Sequence, residues 1–485
     1  MPIIKVMSEI LANKIAAGEV VERCSSVVKE LVENSIDAGS TEIKVDLLDS
    51  GITEIKVTDN GVGMDEEDAK TAFQRHATSK LLDENDLYRI NTLGFRGEAL
   101  PSIASVSKVE LVTSKGLLGT RVKINGGNFE SIERAEARRG TSIAVRNLFY
   151  NTPARLKHLS SMQAELMTVA DYVDKIALSH PNIRFVLTNN GSTMLNTDGK
   201  GDLLKTINSV FGINVARNMI KIETEDRDYK VMGYISKPEI NRTTKNHMIT
   251  LVNGRVVRNS SINRAINDSY HTYKPDNRYP IVVINIEVDP SQIDVNIHPT
   301  KMDIKFSKLE ELQNLLMKEI KKNLDVRTLI PKVEEAIVVN NFTDYEEEKP
   351  IKQEEKPIFV KQELEIHENE VKYETKREEN RYPDMTFVGI AHGTYIIMQN
   401  DTGMYIIDQH AAKERINYEK FKEELGHPSQ NKIPLLFPIT LEYTTSEFMK
   451  LREKMDVLNN IGLLIEEFGI NSIIVKAHPV WFSKG

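Results

Sequence analysis

The sequence predicts an α+β protein of several domains, on two observations. Runs of β-branched and aliphatic residues alternate with helical patterns across residues 1–330. A charged, proline-bearing segment, 331–383, then separates that part from a shorter one with strands and a helix of its own. At ~150 residues per domain, 485 residues hold about three.

The elements follow in order. Strand patterns fall at Glu42–Leu48, Glu54–Thr58, Val106–Thr113 and Ser142–Asn147, among helical stretches, and place a first domain at 1–210. A second α+β domain, 211–330, carries strand patterns at Tyr229–Ile235, Met248–Val252, Ile281–Val288 and Val295–Ile297. It also carries helical patterns at Ser260–Tyr270 and Leu309–Leu324. Residues 384–485 hold strand patterns at Thr394–Met398, Met404–Ile407 and Ser472–Val475, with a helix at His410–Leu425. The intervening linker contains Glu346-Glu347-Glu348, Pro350 and Pro357, with too little periodic apolar surface to offset ordering entropy.

Net charge is −8, but 331–380 alone holds 15 acidic and 8 basic residues, so the rest is nearly neutral and tolerates a local basic patch for DNA. No run of 18 uncharged apolar residues exists to span a membrane. Met1–Ile10 includes Lys5 and Glu9 and lacks the apolar core of a signal peptide. The lone Cys24 cannot pair within the chain, so the expectation is a cytoplasmic protein.

Ser25–Gly39 reads as an amphipathic helix. Val28, Leu31, Val32, Ser35 and Ile36 share one side, and Glu30, Glu33, Asn34 and Asp37 the other. Ser25 or Ser26 would cap it, and Gly39 would end it. Alone, this is a surface helix with a solvated acidic face. Three further segments give it company. Asp59-Asn60-Gly61-Val62-Gly63-Met64 follows a strand, where a carboxylate can accept from a base amino group and glycines admit a ring closely, although Asn-Gly also makes plain turns. Gly94 and Gly97 bracket a loop entering a helix, an arrangement that can cradle phosphate, although it is not the Walker pattern. Gly140-Thr141-Ser142 precedes a strand.

In this order the four segments resemble the Bergerat nucleotide fold of the GHKL ATPases. Ile15–Arg23 (IAAGEVVER), Gly94–Ser107 (GFRGEALPSIASVS) and Leu148–Arg155 (LFYNTPAR) narrow the resemblance to the MutL family of mismatch-repair proteins. It implies a Bergerat-type α/β sandwich, a ribosomal-S5-like domain, the disordered acidic linker and a partial C-terminal dimerisation domain. It implies Glu30 as general base, Asn34 as Mg²⁺ ligand, and Asp59 as the adenine reader beside Gly63 and Thr141. Thr78 within His76–Lys80, and Gly94, Phe95, Arg96, Gly97, Glu98, Ala99 and Leu100, match lid segments that close over ATP. Asp294–Lys301 (DVNIHPTK) is similar to another family block, in which Lys301 reaches the γ-phosphate. Cys24 stands where the family usually has proline; a redox role for it lacks a resolving partner.

Arg255, Arg258 and Arg264 could contact DNA phosphates without reading sequence, although turn arginines are commonly just solvated. Asp408–Glu419 (DQHAAKERINYE) resembles the metal motif of family members that nick DNA. His410 and Glu414 share a helix face, Asp408 stands at its entrance, and together they would bind Mn²⁺ or Zn²⁺. The other reading is a capped, charged helix. Family nuclease domains continue past the point corresponding to Gly485, so the sequence is expected to be truncated, leaving nicking and dimerisation to the intact protein. Leu435-Leu436-Phe437-Pro438 is similar to a sliding-clamp-binding segment without its leading glutamine, and core or strand is the simpler assignment.

The function implied is an ATP-gated homodimer that links mismatch recognition by MutS to strand incision, with DNA and a sliding clamp as further candidate partners. The alternative is an ATP-switched matchmaker without nuclease chemistry. A topoisomerase subunit would need an active-site tyrosine domain, for which no signature is present.

Overall fold

The structure is a computed structural model that describes residues 20–80, 93–94, 97–294, 304–325, 384–426 and 431–482. Its first sheet has eight strands: β1 (Glu42–Leu48), β2 (Glu54–Asp59), β3 (Lys108–Ser114), β4 (Gly119–Asn125), β5 (Asn128–Ala135), β6 (Gly140–Arg146), β7 (Arg184–Asn189) and β8 (Ser192–Asn196). Their spatial order is β5-β4-β3-β6-β2-β1-β7-β8, antiparallel except where β1 meets β7. The chain crosses from β6 to β7 through helices, as a parallel pair requires.

Burial alternates along the strands. In β1, Ile43, Val45 and Leu47 point inward while Glu42, Lys44 and Leu48 are exposed. Two helices cover the inner side: α1 (Cys24–Asp37) and a longer helix, Met162–Ser179. The expected apolar stripe of α1 is the one buried, with Cys24 and Val27 added and Ile36 only partly covered. Full burial of Val28, Leu31 and Val32 contributes about 1.5–3 kcal/mol each.

The start of α1 differs from expectation. Neither serine caps it; Arg23 occupies the cap position without a side-chain bond. Instead the amide of Cys24 donates to Oε2 of Glu165, 3.3 Å away on Met162–Ser179. Burial first, then the Glu165 carboxylate, push the Cys24 thiol up to about 12, so it stays protonated. Glu165 and Asp174 both face inward, which blurs the periodicity of Met162–Ser179 in the sequence. Burial raises the pKa of Asp174, with Asp171 adding to the effect.

The second sheet runs Arg255–Val257, Met248–Val252, Val282–Val288, Tyr229–Ser236, Met219–Glu225. Its two faces do different jobs. Val282, Ile284 and Ile286 pack with Ile262, Ile266, Leu312 and Leu316 of the helices Ser260–Ser269 and Leu309–Asp325. Ile249, Leu251, Ile281 and Val283 join the core of the first sheet instead. The expected strand Val295–Ile297 and the linker lie outside the described residues.

Among the described residues, 431–482 fall in the same compact unit as those up to 325, and 384–426 form a second unit. Helix Thr445–Asn460 packs on Met162–Ser179, and its Met449 joins the first core. Leu435–Pro438 lies in the strand Lys432–Glu442, but Leu436 and Phe437 are 88% and 79% exposed at a break in register, so the segment is strand and not core. In the second unit, strands Thr386–Ala391, Tyr395–Asn400 and Gly403–Asp408 form a meander leading into helix Gln409–Gly426. Among the described residues, no helix is long and apolar enough to cross a membrane.

Candidate nucleotide site

The polar side of α1 faces other parts of the first unit and is not left to solvent. In the last turn of α1, on its buried side, Ser35 donates from Oγ to Oδ2 of Asp59, 2.9 Å away at the end of β2. The other oxygen of Asp59 accepts from the amides of Gly61 (2.9 Å) and Thr141 (3.2 Å). A carboxylate only 6% exposed is thereby fixed between a helix hydroxyl and two loop amides. Thr141 also pairs with the hydroxyl of Thr113, which accepts from the amide of Met64. Asp59, Gly63 and Thr141, expected to form one pocket, are thus brought together. Gly63 has φ +68°, and a Cβ there would stand 2.0 Å from the carbonyl oxygen of Ser114, so only glycine fits.

Farther along α1, Asp37 organises the glycine loop. Its Oδ1 accepts from the amide of Leu93 (3.0 Å), and its Oδ2 from that of Gly94 (3.1 Å). The same Oδ2 accepts from Nζ of Lys80 at 2.5 Å, and Lys80 also donates to Oδ1 of Asn34 at 2.9 Å. Two oxygens of α1 therefore converge on one cation, and hard oxygen donors of this kind suit Mg²⁺ equally well. Gly97 has φ +64°, its carbonyl accepts from the amide of His76, and a Cβ would clash with Ala77 at 2.6 Å. Nδ1 of His76 lies 3.6 Å from Glu98. Thr78 accepts from the amide of Lys80 through its hydroxyl. Helix Ala99–Ser105 begins with Ala99 and Leu100 and has no side-chain cap.

Glu30 is half-buried on the same side of α1, one turn before Asn34. Burial raises the Tyr172 hydroxyl, and the charges of Glu33 and Glu30 raise it further. Arg255, the first residue of the strand Arg255–Val257 in the second sheet, also meets this acidic side. Burial lowers its pKa, while Glu33 and Asp37 act to keep it charged. Arg258 and Arg264 are exposed. Phe95, Arg96 and Lys301 lie outside the described residues.

In the second unit, Oδ1 of Asp408 accepts from the amides of His410 (2.8 Å) and Ala411 (3.3 Å), so it caps the helix. His410 and Glu414 are exposed one turn apart, and no group of three metal-ligating side chains converges among the described residues.

Sequence reasoning placed Lys80 in a lid segment and Asp37 on the polar face without giving either a role, and did not mark Ser35 or Thr113 as site residues. Ser35 left a signal, a hydroxyl within an apolar stripe. Thr113 left none, because alternation explains it as well.

Residues 22–138 match the family described as histidine kinase-, DNA gyrase B-, and HSP90-like ATPase, and 207–325 match the C-terminal domain of DNA mismatch repair protein. Residues 388–485 match the MutL C terminal dimerisation domain. A crystal structure of the N-terminal domain of a DNA repair protein is 26% identical, with TM-score 0.57 over 65% of this chain and 98% of its own. Fold and site define the class as a GHKL ATPase joined to an S5-like domain. The DNA mismatch repair protein MutL of Anoxybacillus flavithermus is 44% identical over 99% of this chain and 85% of its own length, and that of Listeria monocytogenes serotype 4b (strain CLIP80459) is 43% identical over 99% and 84%. The chain belongs to the MutL family of DNA mismatch repair proteins.

Proposed function

We propose that α1 hydrolyses ATP with Glu30 as general base, and that this drives a mismatch-repair cycle linking recognition by MutS to strand incision. The observation that carries the reading is the fixed Asp59 carboxylate beside Ser35, Gly61 and Thr141, on the helix that presents Glu30 and Asn34. A carboxylate held there can accept from the exocyclic amine of adenine, with Gly63 leaving space for the ring. Asn34 is the proposed Mg²⁺ ligand; bound Mg²⁺ would offset charge on the phosphate oxygens. Glu30 would take the proton of the attacking water. Thr78 and Gly94–Leu100 would cover the phosphates, with Lys301 reaching the terminal one as a point charge.

The working division is an ATPase domain at 1–210, a transducer domain at 211–330, a linker at 331–383 and a dimerisation domain at 384–485. Joining two copies through the last would let ATP open and close a ring around DNA, the linker setting its reach. Arg258 and Arg264 are candidates for phosphate contacts, whereas the charge of Arg255 is already engaged by α1. Mn²⁺ or Zn²⁺ chemistry at Asp408, His410 and Glu414 would need ligands beyond these three. Asp408 caps its helix through Oδ1, which leaves Oδ2 for a ligand; the second reading is an ATP-switched matchmaker without nuclease activity, against which the Asp408–Glu419 motif speaks.

Glu30→Ala tests the base. It should bind ATP as the parent chain does yet turn over about 10²–10⁴-fold more slowly in a single-turnover assay. Unchanged turnover would move the base elsewhere.

A further inference from the structure

We propose that Lys80 is a tethered counter-ion that holds the cation place of the nucleotide site, and that Mg²⁺ must displace it to bind with ATP. This rests on the nucleotide reading of α1. The Lys80 ammonium is bound by Asn34, the proposed metal ligand, and by Asp37; the Lys80 and Asp37 side chains are 18% and 8% exposed. The polar side of α1 carries Glu30, Glu33 and Asp37; the charge of Arg255 acts on Glu33 and Asp37, and Lys80 is the cation in direct contact with Asp37 and Asn34. One ammonium of compact, spherical charge substitutes for a hydrated divalent ion better than a planar guanidinium does.

The surroundings are shaped for that cation. A Cβ on Gly94 would lie 3.3 Å from Nζ of Lys80 and 3.7 Å from Oδ1 of Asn34, so the glycine backbone closes directly over it. The amides of Leu93 and Gly94 bind the same Asp37 carboxylate. Exchanging Lys80 for Mg²⁺ therefore alters the hydrogen-bonding of the group that pins the glycine loop. The released ammonium, with three donors on a flexible stem, is then free to take a phosphate oxygen. Cation exchange and loss of the Lys80–Asp37 bond become one event. The chain resists bare Mg²⁺ and admits the ion together with an anion that rewards Lys80 for moving.

The test is equilibrium binding of a fluorescent ATP analogue to the full chain, in EDTA and across graded Mg²⁺. Lys80→Met should lower the half-saturating Mg²⁺ concentration about tenfold, because the competitor is gone, and should weaken Mg²⁺-free binding severalfold. Lys80→Arg keeps the charge but fills the cation place less well, so its Mg²⁺ requirement should fall between those of the parent and Lys80→Met. An unchanged Mg²⁺ requirement in Lys80→Met, or equal weakening at every Mg²⁺ concentration, would overturn the proposal and leave Lys80 a simple phosphate contact or a surface lysine. Asp59→Asn separates the two levels. Nucleotide affinity unaltered by that change would overturn the base pocket itself, whatever Lys80→Met does.

Discussion

Helix α1 and the tail helix Gln409–Gly426 both carry acidic side chains at i, i+4 spacing beside another potential ligand, Asn34 in one and His410 in the other. Helix α1 buries six residues; the tail helix buries none. On α1, Ser35 of the buried stripe meets the end of β2, while Lys80, the glycine loop and Arg255 of the second sheet meet the polar side. On the tail helix, the ion pairs among the described residues run along the helix itself, as in the Arg415–Glu419 pair at 2.7 Å. A motif confined to one helix supplies candidates; a site needs distant segments to bring the remaining partners, and a buried helix is where that happens.

Three measurements sharpen the contrast, beginning with the largest effect. Glu165→Ala removes the distant acceptor at the start of α1 and leaves the Cys24 amide unpaired in a buried setting. It should cost about 1–3 kcal/mol, read as a drop in Tm, with Glu165→Gln recovering most of it. An unaltered Tm would mean that α1 is anchored by its apolar side alone.

Asp408→Ala should cost about 1 kcal/mol of tail-helix stability by removing its cap, whereas Asp408→Asn should cost little, since asparagine caps equally well. Asparagine therefore isolates metal ligation from capping. Mn²⁺-dependent nicking of supercoiled plasmid that disappears in Asp408→Asn, with helicity intact, would support a nuclease. Nicking absent from the parent chain, or indifferent to the change, would favour the matchmaker.

The smallest effect is alkaline. Folded Cys24 keeps its proton to about pH 12, while the unfolded thiol releases it near 9.0. The native state binds more protons between those values, so stability falls as pH rises through 9. The loss from this group is about 0.8 kcal/mol at pH 9.5. Cys24→Ala should remove that share of the slope in denaturant titrations at pH 8 and 9.5; an identical slope would place the thiol in a more solvated setting.

Much of the first two domains was legible in advance. Met248–Val252 and Glu42–Leu48 match their expected limits, because strict patterns of aliphatic residues bounded by turn residues leave little choice. The buried stripe of α1 follows from its period. The cap of α1 was not legible, since Ser25 and Ser26 are good local candidates and Glu165 lies 141 residues away from Cys24. Asp59 and Gly63 were legible because an acidic residue and glycines after a strand have a local chemical meaning. The role of Ser35 was hidden, because its meaning depends on which strand end it meets.

The order of residues alone determined where chains of one period begin and end, which faces are apolar, and which blocks mark the family. Those properties are local, decided over one or two turns of helix or a few strand positions. Tertiary structure decided that Asp37 would hold both a loop and a lysine, that Arg255 would turn toward α1, and that Asp408 would spend its carboxylate on a helix end. Each depends on groups far apart in the chain competing for one charged partner, and only the folded geometry settles which of them arrives.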